Sequence, residues 1–199
     1  TLSENISSIE GYTFYACNSL TSITIPNNVT YVGEIAFGYC DNLSAVTFGN
    51  NVTTIDDYAF AGCSSLSSVT IPASVSYIGY STFVSCNSLN SIVVESGNTT
   101  YDSRNNCNAI IETASNTLIT GCQSTIIPET VTTIGDEAFY NCDGLTTIAI
   151  PNSVTSIGYS AFANCDNLSS VDLGNGVTTI SGSAFEYCYA MTSVTIPAS

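Results

Sequence analysis

Histidine, tryptophan and lysine are missing from this chain of 199 residues, and arginine occurs once, as Arg104. Without histidine the commonest general base and the commonest metal ligand are gone. Charged residues make up 9% of the chain, against roughly 25% in ordinary soluble proteins. Sixteen acidic residues against one basic leave a formal net charge of −15. Such a chain repels phosphate backbones and anionic lipid headgroups, which excludes nucleic acid as a partner. The acids are scattered, so an acidic disordered tail is excluded as well. No apolar run is long enough to span a membrane, and the first residues do not read as a signal peptide. No C-x-x-C pair or EF-hand-like spacing offers a cation site, so no metal and no cofactor is expected.

What is present is a repeat. Phe14, Phe37, Phe60, Phe83, Phe139, Phe162 and Phe185 recur every 23 residues, with one interval of 56. A cysteine stands three residues after each: Cys17, Cys40, Cys63, Cys86, Cys142, Cys165 and Cys188. Leu20, Leu43, Leu66, Leu89, Leu145, Leu168 and Met191 follow, and then an alternating apolar pair such as Ile23/Ile25, Val69/Ile71 or Ile148/Ile150. Alternation rich in β-branched residues reads as a short strand. Pro26, Pro72, Pro128, Pro151 and Pro197 come directly after it, where no ladder donor is needed. A unit of this length cannot bury its apolar face alone, so the units must stack. The expected fold is a right-handed, curved solenoid of the leucine-rich-repeat type. Short parallel strands line its concave face, with loops and one turn of α or 3₁₀ helix at each A-F-x-x-C segment on the convex side.

One solenoid is expected over residues 1–199, with regular repeats in 1–94, an irregular expanded repeat in 95–127 and regular repeats in 128–199. Both ends cut a repeat part-way through without a polar cap, which points to a segment of a longer protein. Within the irregular stretch, residues 108–111 and 117–119 read as a β-hairpin projecting from one edge of the coil. A turn at Ala114–Ser115 would set Cys107 opposite Cys122, making that pair a candidate disulfide. Separate burial of the two thiols is the competing reading, since Cys122 also falls at the Leu phase.

The units IPNNVTYVGEIAFGYCDNLSAVTF, IPASVSYIGYSTFVSCNSLNSIVV and IPNSVTSIGYSAFANCDNLSSVDL resemble BspA-like leucine-rich repeats of the treponemal type. The expanded stretch NTTYDSRNNCNAIIETASNTLITGCQSTIIP is similar to the irregular unit of such proteins from gut and oral Bacteroidetes. The resemblance covers essentially the whole chain. It implies a secreted or surface-anchored bacterial protein with adhesive roles, including binding to extracellular or host surface proteins, and it supplies no catalytic residues.

The residues themselves offer four places for chemistry. The outward strand positions form two rows, and Ser22, Thr24, Thr47, Ser68, Thr70, Ser91, Thr147, Ser170, Asp172, Ser193 and Thr195 make them a candidate interaction surface. They lack the aromatic and arginine anchors of tight interfaces, so solvation of a sheet face competes with binding, and broad weak contact with avidity is the form binding would take. An ice-binding row is disfavoured because Val93, Ala149 and Asp172 interrupt the threonines. The repeating cysteines read as a ladder of small buried hydrophobes. Glu34, Asp57 and Asp136 share the phase three before Phe, where a carboxylate favours the start of a helical turn more readily than it serves hydrolysis. Twelve tyrosines fall at several phases, so no single aromatic platform emerges. A noncatalytic adhesion or interaction module is therefore expected. The alternatives are a spacer or stalk that self-associates through its ends, and a glycan-binding or glycan-hydrolysing surface protein.

Overall fold

The computed structural model describes residues 2–196, and Pro197 lies outside them. The chain divides into two compact units, Thr1–Asp102 and Ser103–Ser199. Each is built from rungs of a β-solenoid, and each rung contributes a long strand, a short strand and a turn.

In the first unit the strands in chain order are β1 (Ser8–Ile9), β2 (Ser22–Thr24), β3 (Tyr31–Val32), β4 (Ala45–Thr47), β5 (Thr54–Ile55), β6 (Ser68–Ile71), β7 (Tyr77–Ile78), β8 (Ser91–Val94) and β9 (Tyr101–Asp102). The even-numbered strands are the ones the alternating apolar pairs predict. β2 pairs in parallel with β4, and β6 with β8, each residue facing the one a full repeat later. β1, β3, β5 and β7 form a second parallel ladder that the sequence reading missed. These strands are two residues long, too short for alternation to be visible, and their only apolar member, such as Val32 or Ile55, points inward and is fully buried.

The second unit opens with a 3₁₀ turn at Arg104–Asn106, the only helix among the described residues. Its strands are β10 (Ile110–Glu112), β11 (Thr117–Thr120), β12 (Thr133–Ile134), β13 (Thr147–Ile150), β14 (Ser156–Ile157), β15 (Ser170–Leu173), β16 (Thr179–Ile180) and β17 (Ser193–Thr195). β13, β15 and β17 form the long-strand ladder, and β11, β12, β14 and β16 the short-strand one. β10 and β11 are the expected antiparallel hairpin. It does not project, however. β11 pairs in parallel with β12, and Ile110, Ile111 and Leu118 are completely buried, so the hairpin is part of the coil wall. Burying three aliphatic side chains on two short strands requires that placement.

The A-F-x-x-C segments are not helical, which corrects the expected turn of helix. The residue two before each Phe has a left-handed backbone: Tyr12, Ile35, Tyr58, Ser81, Glu137, Ser160 and Ser183, with φ between 47° and 60°. The residue two after it is left-handed as well: Ala16, Tyr39, Gly62, Ser85, Asn141, Asn164 and Tyr187. Alternating hands turn successive amides in opposite directions. Around Phe37 the amides of Ile35, Phe37 and Tyr39 donate to the carbonyls of Asp57, Ala59 and Ala61 in the next rung, at 3.0, 2.8 and 2.6 Å. Those of Ala36, Gly38 and Cys40 donate locally, three residues back. A left-handed non-glycine residue costs about 1–2 kcal/mol. The cross-rung bonds are what the turn gains in return.

The rings that set the register stack. Phe14–Phe37, Phe37–Phe60 and Phe60–Phe83 lie 5.1, 5.2 and 5.6 Å apart and within 12° of parallel. Phe139–Phe162 and Phe162–Phe185 repeat this at 4.9 and 5.2 Å. Such stacks contribute roughly 0.5–1.5 kcal/mol per pair beyond area burial. The cysteines do more than fill space. Five of the seven ladder thiols reach back to the Phe carbonyl of the preceding rung: Cys40 to Phe14, Cys63 to Phe37, Cys86 to Phe60, Cys165 to Phe139 and Cys188 to Phe162, at 3.0–3.2 Å.

Candidate interaction surface

The polar side chains fall into two populations. One is spent between rungs. The hydroxyls of Ser44, Thr53, Ser169 and Thr178 donate to the carbonyls of Thr21, Thr30, Thr146 and Thr155, one repeat back, at 3.0–3.1 Å. The Nδ2 groups of Asn42, Asn51 and Asn167 donate to the carbonyls of Asn18, Asn27 and Asp143 at 2.7–2.9 Å. Like charges stacked at every rung would repel across a spacing of about 4.8 Å, whereas neutral donors find a carbonyl there. This accounts for the wealth of Ser, Thr and Asn and the scarcity of charge.

The other population lies on the long strands. Ser22, Thr24, Thr47, Ser68 and Thr70 are exposed in the first unit, with Ser91 half-buried beside them. Thr147, Ser170, Asp172, Ser193 and Thr195 are exposed in the second. None of these side chains makes a hydrogen bond to another described residue. Parallel pairing sets them in register within each ladder: Ser22 faces Ala45, Thr24 faces Thr47, Ser68 faces Ser91 and Thr147 faces Ser170. In the second unit this face borders an open groove of about 600 Å³ lined in part by Ile126, Glu129, Thr147, Ala149 and Asp172. Ile126 is 76% exposed, while its neighbour Ile127 is buried. The sequence reading missed Ile126 because two adjacent isoleucines give no sign of which one turns out.

Of the three carboxylates in phase, Asp57 and Asp136 serve the coil itself. Asp57 Oδ1 accepts the Tyr80 amide at 2.7 Å, and Asp136 Oδ1 accepts the Tyr159 amide at 2.6 Å, each one rung on. Their expected role at the start of a helical turn is thereby replaced by capping of the next turn. The Tyr31 hydroxyl donates to Asp56 Oδ2 at 2.6 Å. That bond first, then desolvation and nearby carboxylates, pushes the phenol up to about 12. Among the described residues no group of three His, Cys, Asp or Glu side chains could hold a metal ion. No described helix is long and apolar enough to cross a membrane.

All nine cysteines are free thiols. The register that would oppose Cys107 and Cys122 is shifted by a bulge between Ile110 and Ile111. The Cys122 thiol instead reaches the Asn108 carbonyl at 3.3 Å, and both sulfurs are buried separately. The tyrosines are less scattered than their phases suggest. Tyr12, Tyr15 and Tyr39 form a run with ring centroids 5.9 and 5.7 Å apart.

The BspA type Leucine rich repeat region family matches residues 1–110 and 116–199, in six copies. The chain belongs to this family. No curated protein matches it. Among solved structures, this BspA-type chain is similar to the pneumococcal vaccine antigen PcpA, with 25% identity and a TM-score of 0.76 over 86% of this chain and 44% of that one. It is similar to a leucine rich cell surface protein of Faecalibacterium prausnitzii, with 30% identity and a TM-score of 0.74 over 96% of this chain and 57% of that one. A leucine-rich-repeat protein of T. pallidum shares 26% identity and a TM-score of 0.55, over 94% and 72% of the two chains. The chain therefore spans about half the length of the first two. These are repeat proteins of the surface-antigen type, which fits a protein-interaction role.

Proposed function

We propose that this chain is a noncatalytic, secreted or cell-surface interaction module that engages extracellular or host surface proteins through the outer face of its long strands. The observation that carries this reading is the division of the hydroxyls. Those just before the strands, such as Ser44, Thr53, Ser169 and Thr178, are bonded to the preceding rung, whereas the strand-face rows are exposed, in register and uncommitted. In the second unit the groove beside them adds an apolar contact at Ile126 and carboxylates at Glu129 and Asp172. The relatives' description as surface protein and vaccine antigen supports the location. Without large anchors, single contacts are weak and binding depends on avidity.

The test is capture of extracellular-matrix and serum proteins on a dense array of the immobilised chain. Thr47→Arg with Thr70→Arg, and separately Thr147→Arg with Asp172→Arg, should abolish capture by at least one unit. Arginine at the exposed turn residue Asn87 should leave it intact. Equal capture by all variants would reject the strand face.

A further inference from the structure

The only basic side chain is locked into the irregular rung. The Arg104 guanidinium donates from Nη1 to Asn116 Oδ1 at 2.8 Å and to Thr130 Oγ1 at 3.2 Å. Asn116 closes the hairpin turn with φ 54°, and Thr130 precedes β12, so both partners are on elements fixed by other contacts. The backbone is engaged as well. The Arg104 carbonyl accepts the amide of Cys107, a residue only 1% exposed, at 3.3 Å. The next two residues, Asn105 and Asn106, are left-handed, with φ 61° and 53°.

A protease specific for Lys and Arg requires three things at its cleavage site: a free cationic side chain to fill its acidic pocket, an accessible backbone, and a scissile carbonyl free to enter the oxyanion hole. Asn105 and Asn106 are exposed, but while the rung is folded Arg104 offers neither a released side chain nor a released carbonyl. We infer that Arg104–Asn105 is a latent processing site for trypsin-class serine proteases, the one such bond in the chain, and that it is shut by the Asn116–Thr130 clamp. Cleavage there is ordinary hydrolysis. The carbon–nitrogen bond between Arg104 and Asn105 breaks, and one water is consumed. Arg104 is left with a carboxylate and Asn105 with an amine. The bond lies two residues past the division between the two units, so a single cut yields one fragment for nearly all of each. This inference is independent of what the strand face binds.

The experiment is limited digestion of the full chain with trypsin, read by intact mass. Wild type should stay whole under native conditions and be cut once, into residues 1–104 and 105–199, after unfolding in urea. Asn116→Ala with Thr130→Ala should be nicked natively at the same bond, roughly tenfold faster for each charged hydrogen bond lost. Circular dichroism checks that this variant is folded. Native cleavage of wild type as fast as the folded double variant would overturn the clamp. Should the double variant not fold, Asn116→Asp replaces it. A carboxylate there tightens the grip on the guanidinium and should slow nicking in sub-denaturing urea, and an unchanged or faster rate would overturn the inference.

Discussion

The turn side of each rung and its long-strand face are made of the same small residues, yet they do opposite work. On the turn side the recurring groups are mostly committed: Phe rings to the stack, five thiols to Phe carbonyls, alternate amides to the next rung, and several Asn and Ser side chains to the rung before. On the strand face only the backbone is committed, and the side chains face water. The difference teaches that stability and recognition are separated around the cross-section of one rung. A repeat can therefore vary its strand-face rows without loosening its stack.

The contrast is most sharply broken by emptying the stack. Phe60→Ala or Phe162→Ala removes a fully buried ring and should cost about 3–5 kcal/mol in denaturant unfolding. A near-neutral result would mean that the rings do not carry the interior. Next in size is alkali. Desolvation pushes the Cys63 and Cys142 thiols up to about 12, and Cys165 higher still. The unfolded chain loses these protons near pH 9 while the folded chain keeps them, so the folded state binds more protons in that window. Stability contributed by the thiols is full below about pH 9 and should fall as pH rises towards 12, by up to about 1.4 kcal/mol per pH unit for each thiol. Thermal melts across that range check it, and substituting Cys63 by Ser should flatten part of the slope.

Smaller effects sharpen the comparison. Gly62 is left-handed with φ +71°, and an added Cβ would lie 2.8 Å from the Tyr39 ring. Gly62→Ala should therefore cost about 1–2 kcal/mol. Asn42→Ala on the turn side should cost about 0.5–1.5 kcal/mol, for its cross-rung bond. Ser68→Ala on the strand face should stay within about 0.5 kcal/mol. Equal losses for the last two would erase the distinction between committed and uncommitted rows.

The stack was legible because Phe, Cys and Leu recur at fixed offsets and each has a single job in the interior. The long strands were legible because an apolar pair two apart has no other reading. The turns were not. Spacing of A-F-x-x-C fits a helical turn, and the left-handed residues that forbid one are Tyr, Ile, Ser, Glu, Asn and Ala, with Gly62 the one glycine that could have announced them. The carboxylates of Asp57 and Asp136 were misassigned for the same reason, because their partners are amides one repeat away, beyond any local pattern. The strand-face residues are exposed apart from the half-buried Ser91, but which hydroxyls are consumed depends on where the preceding rung sets its carbonyls.

The asparagine ladder also bears on how this protein is to be produced. Asn28, Asn42, Asn51, Asn98 and Asn167 all sit in Asn-x-Ser/Thr triplets, and all donate Nδ2 to a carbonyl of an earlier rung. Asn98 spends both hydrogens, on Pro72 and Val75. Sugar added to those nitrogens in a yeast or mammalian secretory host would wedge neighbouring coils apart before they close, leaving Asn5 as the one acceptor outside the ladder, so bacterial expression is the route that preserves the stack.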